Sequence, residues 1–329
     1  MRKSALSLFL LCTVAIPVAG QTLLVANQKD RTLSIVDPRS AKQVAVVEEN
    51  VPDQWAHEVV ASADGRTAYL PIYGNSGVGK PGIDGSKMLV IDIASRKITG
   101  TVDFGRGVRP HCIVYDSNSG MLYITTELAQ SITIVNPRTL KIVGTIPSGA
   151  PESHMLALSH DGKRGYTSNV GPGSVSVLDM TARKTLTIIP VAPQTQRISI
   201  SNDDKLVFTA DTTKPQLAVI DTATNKVKSW IELPALGYGT ATTKDGRSLL
   251  VALPSIDKVG VVDLATLKLS RTIDVCRSPQ EILVRPDGVA YASCMASHQV
   301  AAIDVMQAKV QALIDVGNGA DGLAWVASK

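Results

Sequence analysis

Three of the five histidines in this chain share one setting. His57, His111 and His154 each stand twelve residues ahead of a tyrosine, namely Tyr69, Tyr123 and Tyr166. Neutral imidazole nitrogens brought together from neighbouring strands suit Zn, Cu, Fe or Ni, and three protein ligands leave a coordination position open for water or substrate. Glu127 would serve such a site as general base or fourth ligand, and Tyr73 and Arg109 would handle protons or substrate. A metal held there would polarise a carbonyl, activate water or carry redox chemistry. The same residues also read as channel-mouth polar groups hydrogen-bonded to water, or as a metal-free small-ligand site.

The histidines need a scaffold that repeats, and the sequence supplies one. Seven short Val/Ile/Leu-rich runs end at Asp37, Asp92, Asn136, Asp179, Asp221, Asp263 and Asp304, with gaps of 55, 44, 43, 42, 42 and 41 residues. Five residues after each comes a lysine: Lys42, Lys97, Lys141, Lys184, Lys226, Lys268 and Lys309. That period marks a propeller or solenoid array. Asp64-Gly65, Asp161-Gly162, Asp245-Gly246 and Asp287-Gly288 read as hairpin turns between the first and second strands of their repeats. Four strands per repeat make one blade.

The two ends complete the count. Residues 321–326 read as a first strand lacking a second, and residues 23–27 as a second strand lacking a first. One blade is therefore shared, and pairing the C-terminal strand with the N-terminal strands closes the ring and removes its sheet edges. The expectation is an all-β, seven-bladed β-propeller of four-stranded blades over residues 21–329. In that fold the position of the three histidines is filled in the other blades by Gln196, Tyr238, Gln280 and Asp321, so seven polar residues would ring one channel mouth. The second strands end on the same face, near Tyr73, Glu127, Asn169, Asp211 and Cys294, which makes Asn169 and Asp211 further ligand-contact candidates. An insert from Tyr73 to Lys87 accounts for the long first gap and would lie there too, as a lid or specificity loop.

Leu24-Val25-Ala26-Asn27, Tyr166-Thr167-Ser168-Asn169 and the run from Ala218 to Lys226 resemble the YVTN-type, YncE-like seven-bladed propellers along the whole chain after residue 20. Proteins of this architecture include lactonases, the haem-binding propeller of nitrite reductases, the copper-cluster propeller of nitrous oxide reductase and plain binding proteins. The resemblance implies the fold and leaves the activity open. The nitrous oxide reductase cluster draws on a fuller histidine ring than the three residues here.

Other patterns are set aside. Gly74 to Lys80 matches the spacing of a phosphate-binding loop, but Pro81 stands where Ser or Thr must follow and no helix pattern comes after, so no nucleotide is expected. No Cys-x-x-Cys-His is present, which excludes covalent haem from the expectation and leaves a noncovalent haem open with no local pattern for it, and no Gly-x-Ser-x-Gly elbow appears. The seven lysines read as edge protection on the outer strands. Cys276 and Cys294 fall on one face and form the expected disulfide, whereas Cys112 should point into packing between blades.

The N-terminus reads as a secretory signal over residues 1–20: Arg2 and Lys3, an apolar run from Ala5 to Ile16, then Val18-Ala19-Gly20. No stretch is long enough to span a bilayer. The chain is 44% hydrophobic with a formal charge of +4, enough for a large core and too weakly basic to suggest nucleic acid. The resulting expectation is a periplasmic or secreted monomer with a Zn, Cu or Fe site on His57, His111 and His154, acting as a hydrolase or oxidoreductase. The alternative is a non-catalytic propeller that binds a small molecule, a periplasmic protein or an anionic polymer.

Overall fold

A computed structural model describes residues 21–327. The signal-like segment lies outside the described residues. Seven antiparallel sheets form the blades of a ring, and the innermost strand of each lines the central channel. The first blade joins the two ends of the chain: Ala320–Val326 pairs with Thr22–Asn27, followed by Thr32–Asp37 and Lys42–Glu48. Among the described residues no helix is long and apolar enough to cross a membrane.

The repeated acid and lysine have a local cause. Each acid or amide closes the third strand and accepts backbone N–H bonds from the turn that follows, as in Arg39 N to Asp37 at 3.1 Å, Ala182 N to Asp179 at 2.8 Å and Gln307 N to Asp304 at 2.8 Å. The residue just before each lysine is left-handed, from Ala41 (φ 52°) and Arg96 (φ 60°) to Ala308 (φ 53°). The acid satisfies the amides of a turn that would otherwise leave them bare. The lysine then opens the fourth strand, exposed in every blade. That strand is the outer edge, and its charge discourages pairing with another chain.

Burial follows position in the blade. Third strands such as Val-Ser-Val-Leu in Ser174–Asp179 are buried on both faces, because neighbouring blades stack against both sides. They therefore read as continuous apolar runs and not as alternating ones. Outer strands alternate, and Lys42–Glu48 buries only Val47 fully.

The innermost strands are irregular at the height of the histidines. Register slips between Gln196 and Ile198, between Ser153 and Met155, and between Pro279 and Ile282. In the second blade the inner strand is split into Trp55–Ala56 and Val60–Ala61, with His57 and Glu58 in the break. A bulge of this kind re-aims the side chains of consecutive residues.

Candidate functional site

The bulges bring the three histidines into one cluster at the channel mouth. The His111 and His154 rings lie 3.6 Å apart at 31°, and His57 lies 5.0 Å from His111. The Tyr73 ring meets His57 edge-on at 5.0 Å and His111 at 5.2 Å. His111 and His154 are buried, and burial holds both imidazoles neutral, His111 well below the usual range. Three ring nitrogens are buried without a hydrogen-bond partner: His57 Nε2, His111 Nδ1 and His154 Nδ1.

Each end of the cluster is held by a carboxylate. Tyr73 donates its hydroxyl to Glu127 Oε2 at 2.6 Å, and His154 Nδ1 stands 3.5 Å from the same oxygen, too far for a well-formed hydrogen bond. Burial alone would raise the Glu127 carboxyl, but His154, the Tyr73 hydroxyl and the Arg109 charge hold it below its ordinary value. Burial and the neighbouring Glu127 push the Tyr73 phenol far up, so it remains a donor. At the other end Gln28 Nε2 lies 2.8 Å from His57 Nδ1 and also bonds Asp321 Oδ2. With Nδ1 engaged, His57 turns Nε2 toward the cluster.

Arg109 fastens the insert to this site. Its guanidinium donates to Asp84 Oδ1 at 2.6 Å, to the Lys80 carbonyl at 2.6 Å, and at 3.4 Å to both the Gly77 carbonyl and Glu127. The segment that mimics a phosphate loop is thus an arginine-anchored turn leading into the strand Asp84–Asp92.

Next to the histidines, through Asp321, lies a second group, of which the sequence reading named Asp321 and Tyr238 and missed Arg197, Glu58 and Glu281. Arg197 donates from one nitrogen to Glu58 at 2.6 Å and Glu281 at 2.7 Å, and from the other to Asp321 at 2.9 Å. Its guanidinium also lies 4.8 Å from the centre of the Tyr238 ring. Burial pushes the Glu58 and Glu281 carboxyls up against the pull of Arg197, while Arg197 and His57 bring Asp321 down despite its burial. One guanidinium faces three carboxyls, so the group favours holding a proton.

Alternation along a strand would send Glu58, Arg197 and Glu281 away from the channel, since each follows a mouth position. The bulges overrule that alternation. The signal for them is a hydroxyl on the second strand that bonds the backbone at the bulge: Thr209 donates to the Arg197 carbonyl at 2.8 Å, Thr125 accepts from Cys112 N at 2.9 Å, and Ser293 accepts from Glu281 N at 3.1 Å.

Of the remaining mouth candidates, Gln196 bonds the Tyr238 hydroxyl at 3.1 Å. Gln280 turns back to its own loop, donating to Ser278 Oγ at 3.1 Å and the Ser278 carbonyl at 3.2 Å. Asn169 is fully buried and bonded to Ser153, Thr167, Ser174 and Ser176, and Asp211 to Thr213, Lys214 and Gln216. Both are engaged by their own blades at the end of the second strand. Cys276 and Cys294 are joined by a disulfide, and Cys112 is a buried free thiol.

Residues 115–325 match the family model described as "Cytochrome D1 heme domain". The match spans more than half of the chain, and the chain belongs to this family. Among solved structures it is similar to the hydrazine synthase of Kuenenia stuttgartiensis, at 15% identity over 84% of this chain and 90% of that one, with a TM-score of 0.69. It is also similar to "Dihydro-heme d1 dehydrogenase NirN in complex with DHE", at 14% identity over 92% of this chain and 74% of that one, with a TM-score of 0.65. At such identities the likeness concerns the fold. No curated protein matches the sequence. Family membership overturns the cofactor expectation, which named a bare Zn, Cu or Fe ion and excluded covalent haem: the family points to haem. The geometry agrees, since no three His, Cys, Asp or Glu side chains among the described residues are grouped to hold a lone metal ion.

Proposed function

We propose, from membership of a haem-domain family, that this chain is an exported propeller that binds a haem-type tetrapyrrole at the histidine mouth. The observation that carries the reading is the set of three buried imidazole nitrogens without a hydrogen bond: His57 Nε2, His111 Nδ1, and His154 Nδ1, which faces only Glu127 at 3.5 Å. Imidazole nitrogen is a fitting ligand for haem iron, and leaving such atoms without a partner costs free energy that ligation would recover. His57 is the point of access, with 17% of its side chain open against 4% for His154. Its Nδ1 faces Gln28 and Asp321, the kind of outer partner that orients a ligating histidine.

A bound haem would supply one-electron chemistry or ligand activation at its iron. The chain's own residues supply the proton side. Glu127, held ionised between Tyr73 and Arg109, accepts a proton, and the Tyr73 hydroxyl keeps that carboxylate in place. Side chains at the mouth have to rearrange for a ligand to reach these nitrogens, since all three are buried. Export to the periplasm is supported by the basic-apolar-small pattern of residues 1–20.

The test is a titration of the purified protein with haemin, followed in the Soret band. Saturable binding near one equivalent is expected. A variant carrying His57→Ala, His111→Ala and His154→Ala should lose affinity by about tenfold or more while keeping its β-sheet circular dichroism. Iron-free protoporphyrin should bind more weakly than haemin. No saturable uptake by the wild type, or equal uptake by the triple variant, would sink the reading.

A further inference from the structure

Beside His57, on the same face, lies a cleft of about 390 Å³ that the histidine cluster does not use. Two of its walls are apolar. Trp55 is stapled into the sheet opposite Gly74, and Ile83 is 46% exposed although its backbone is fixed by Asn75, whose side chain accepts Ile83 N at 2.7 Å. Ile83 thus presents a fixed apolar side chain to the cleft that Trp55 also lines. The other wall carries Lys29 and Arg31, both exposed, on the turn after Thr22–Asn27. The one acid lining the cleft, Asp53, is 3.8 Å from Arg31 and 80% exposed, so it neutralises that wall only in part. Gln28 also lines the cleft and reaches the His57 ring at 2.8 Å.

We propose that this cleft is a subsite for the carboxylate-bearing edge of a ring-shaped ligand, with the ring against Trp55 and Ile83 and the carboxylate on Lys29 and Arg31. The proposal extends the reading of the adjoining mouth as the ligand site. It assigns the cleft to anionic aromatic ligands in preference to neutral ones, and makes Gln28 the group that relays its occupancy to His57. Aromatic stacking gives the cleft its affinity, and the paired cations give it its sign preference.

The experiment has two arms on the full protein, read by calorimetry. In the first, indole-3-acetate is compared with tryptophol, which has the same ring and a hydroxyl in place of the carboxylate. The acid should bind about fivefold tighter. The double variant Lys29→Gln with Arg31→Gln, whose changes are on the surface and leave the fold intact, should erase that difference. Trp55→Ala should weaken both probes. Wild-type protein that binds the two equally, or binds neither, overturns the subsite. In the second arm haemin is compared with its dimethyl ester, and the ester should bind about fivefold more weakly to the wild type but equally to the double variant. Haemin and ester binding alike would overturn the subsite and leave the mouth reading standing. Haemin failing while indole-3-acetate binds through Lys29 and Arg31 would sink the mouth reading and keep the subsite.

Discussion

Glu127 and Glu49 are both buried, at 2% and 1% exposure, in opposite electrostatic surroundings. Glu127 receives a phenol, a guanidinium and the edge of an imidazole. Glu49 receives only the Ala56 amide, at 3.2 and 3.4 Å from its two oxygens, and feels Arg31 from a distance. Burial therefore wins at Glu49 and pushes its carboxyl from 4.5 to about 8. Between those values the folded chain holds a proton that the unfolded chain has released, so stability falls as pH rises through the window and levels off above it. Glu49→Gln keeps the acceptor for Ala56 without the charge. Urea melts at pH 5 and pH 8 should show the wild type losing on the order of 2 kcal/mol more than this variant across the window. Equal losses would mean that Glu49 is ionised throughout.

At the scale of the strand, the disulfide ties the loop entering the seventh blade, at Cys276, to the end of that blade's second strand, at Cys294. It closes a short loop, with a sequence separation of 18. Replacing both cysteines by serine should cost about 3 kcal/mol, seen as a lower denaturant midpoint with an unchanged slope. The strand scale also explains which parts of the site could be read in advance. His57, His111 and His154 stand out because each keeps a fixed distance from a tyrosine in a regular second strand. Glu58, Arg197 and Glu281 do not, because a strand without bulges would turn them outward, and the bulges at Arg197 and Glu281 leave their trace in the partner strand, as Thr209 and Ser293. Asn169 and Asp211 show what the sequence conceals about such positions: a polar residue ending a strand at the ligand face looks free, yet neighbouring hydroxyls and amides of its own blade take up hydrogen bonds from it.

For the molecule as a whole, Arg197 acts as a brace across the channel. It reaches from the fifth blade to Glu58 in the second, Glu281 in the seventh and Asp321 in the shared first blade. Arg197→Met would leave two buried carboxyls, Glu58 and Asp321, facing each other and the half-buried Glu281, and should cost about 3 kcal/mol in a urea melt. Adding Glu58→Gln and Glu281→Gln to that variant should return much of the loss, and no recovery would mean that the arginine acts by packing alone. The ring itself was plain from the seven-fold acid–lysine spacing and the unmatched strands at the two ends, because backbone turn chemistry recurs in every blade. The kind of ligand was not, because three histidines at one repeat position read, as a sequence, as well for a lone ion as for a haem iron, and it is the family that points to haem.

The shared blade has a consequence for how the protein comes into being. Thr22–Asn27 is the first of the described strands along the chain, yet its partner Ala320–Val326 is the last of them. Until the two meet, Thr22–Asn27 presents an unpaired edge, open to wrong partners. A chain without Ala320–Val326 would keep almost every other contact of the described residues and still form no ring, so this one strand acts as the clasp on which closure depends.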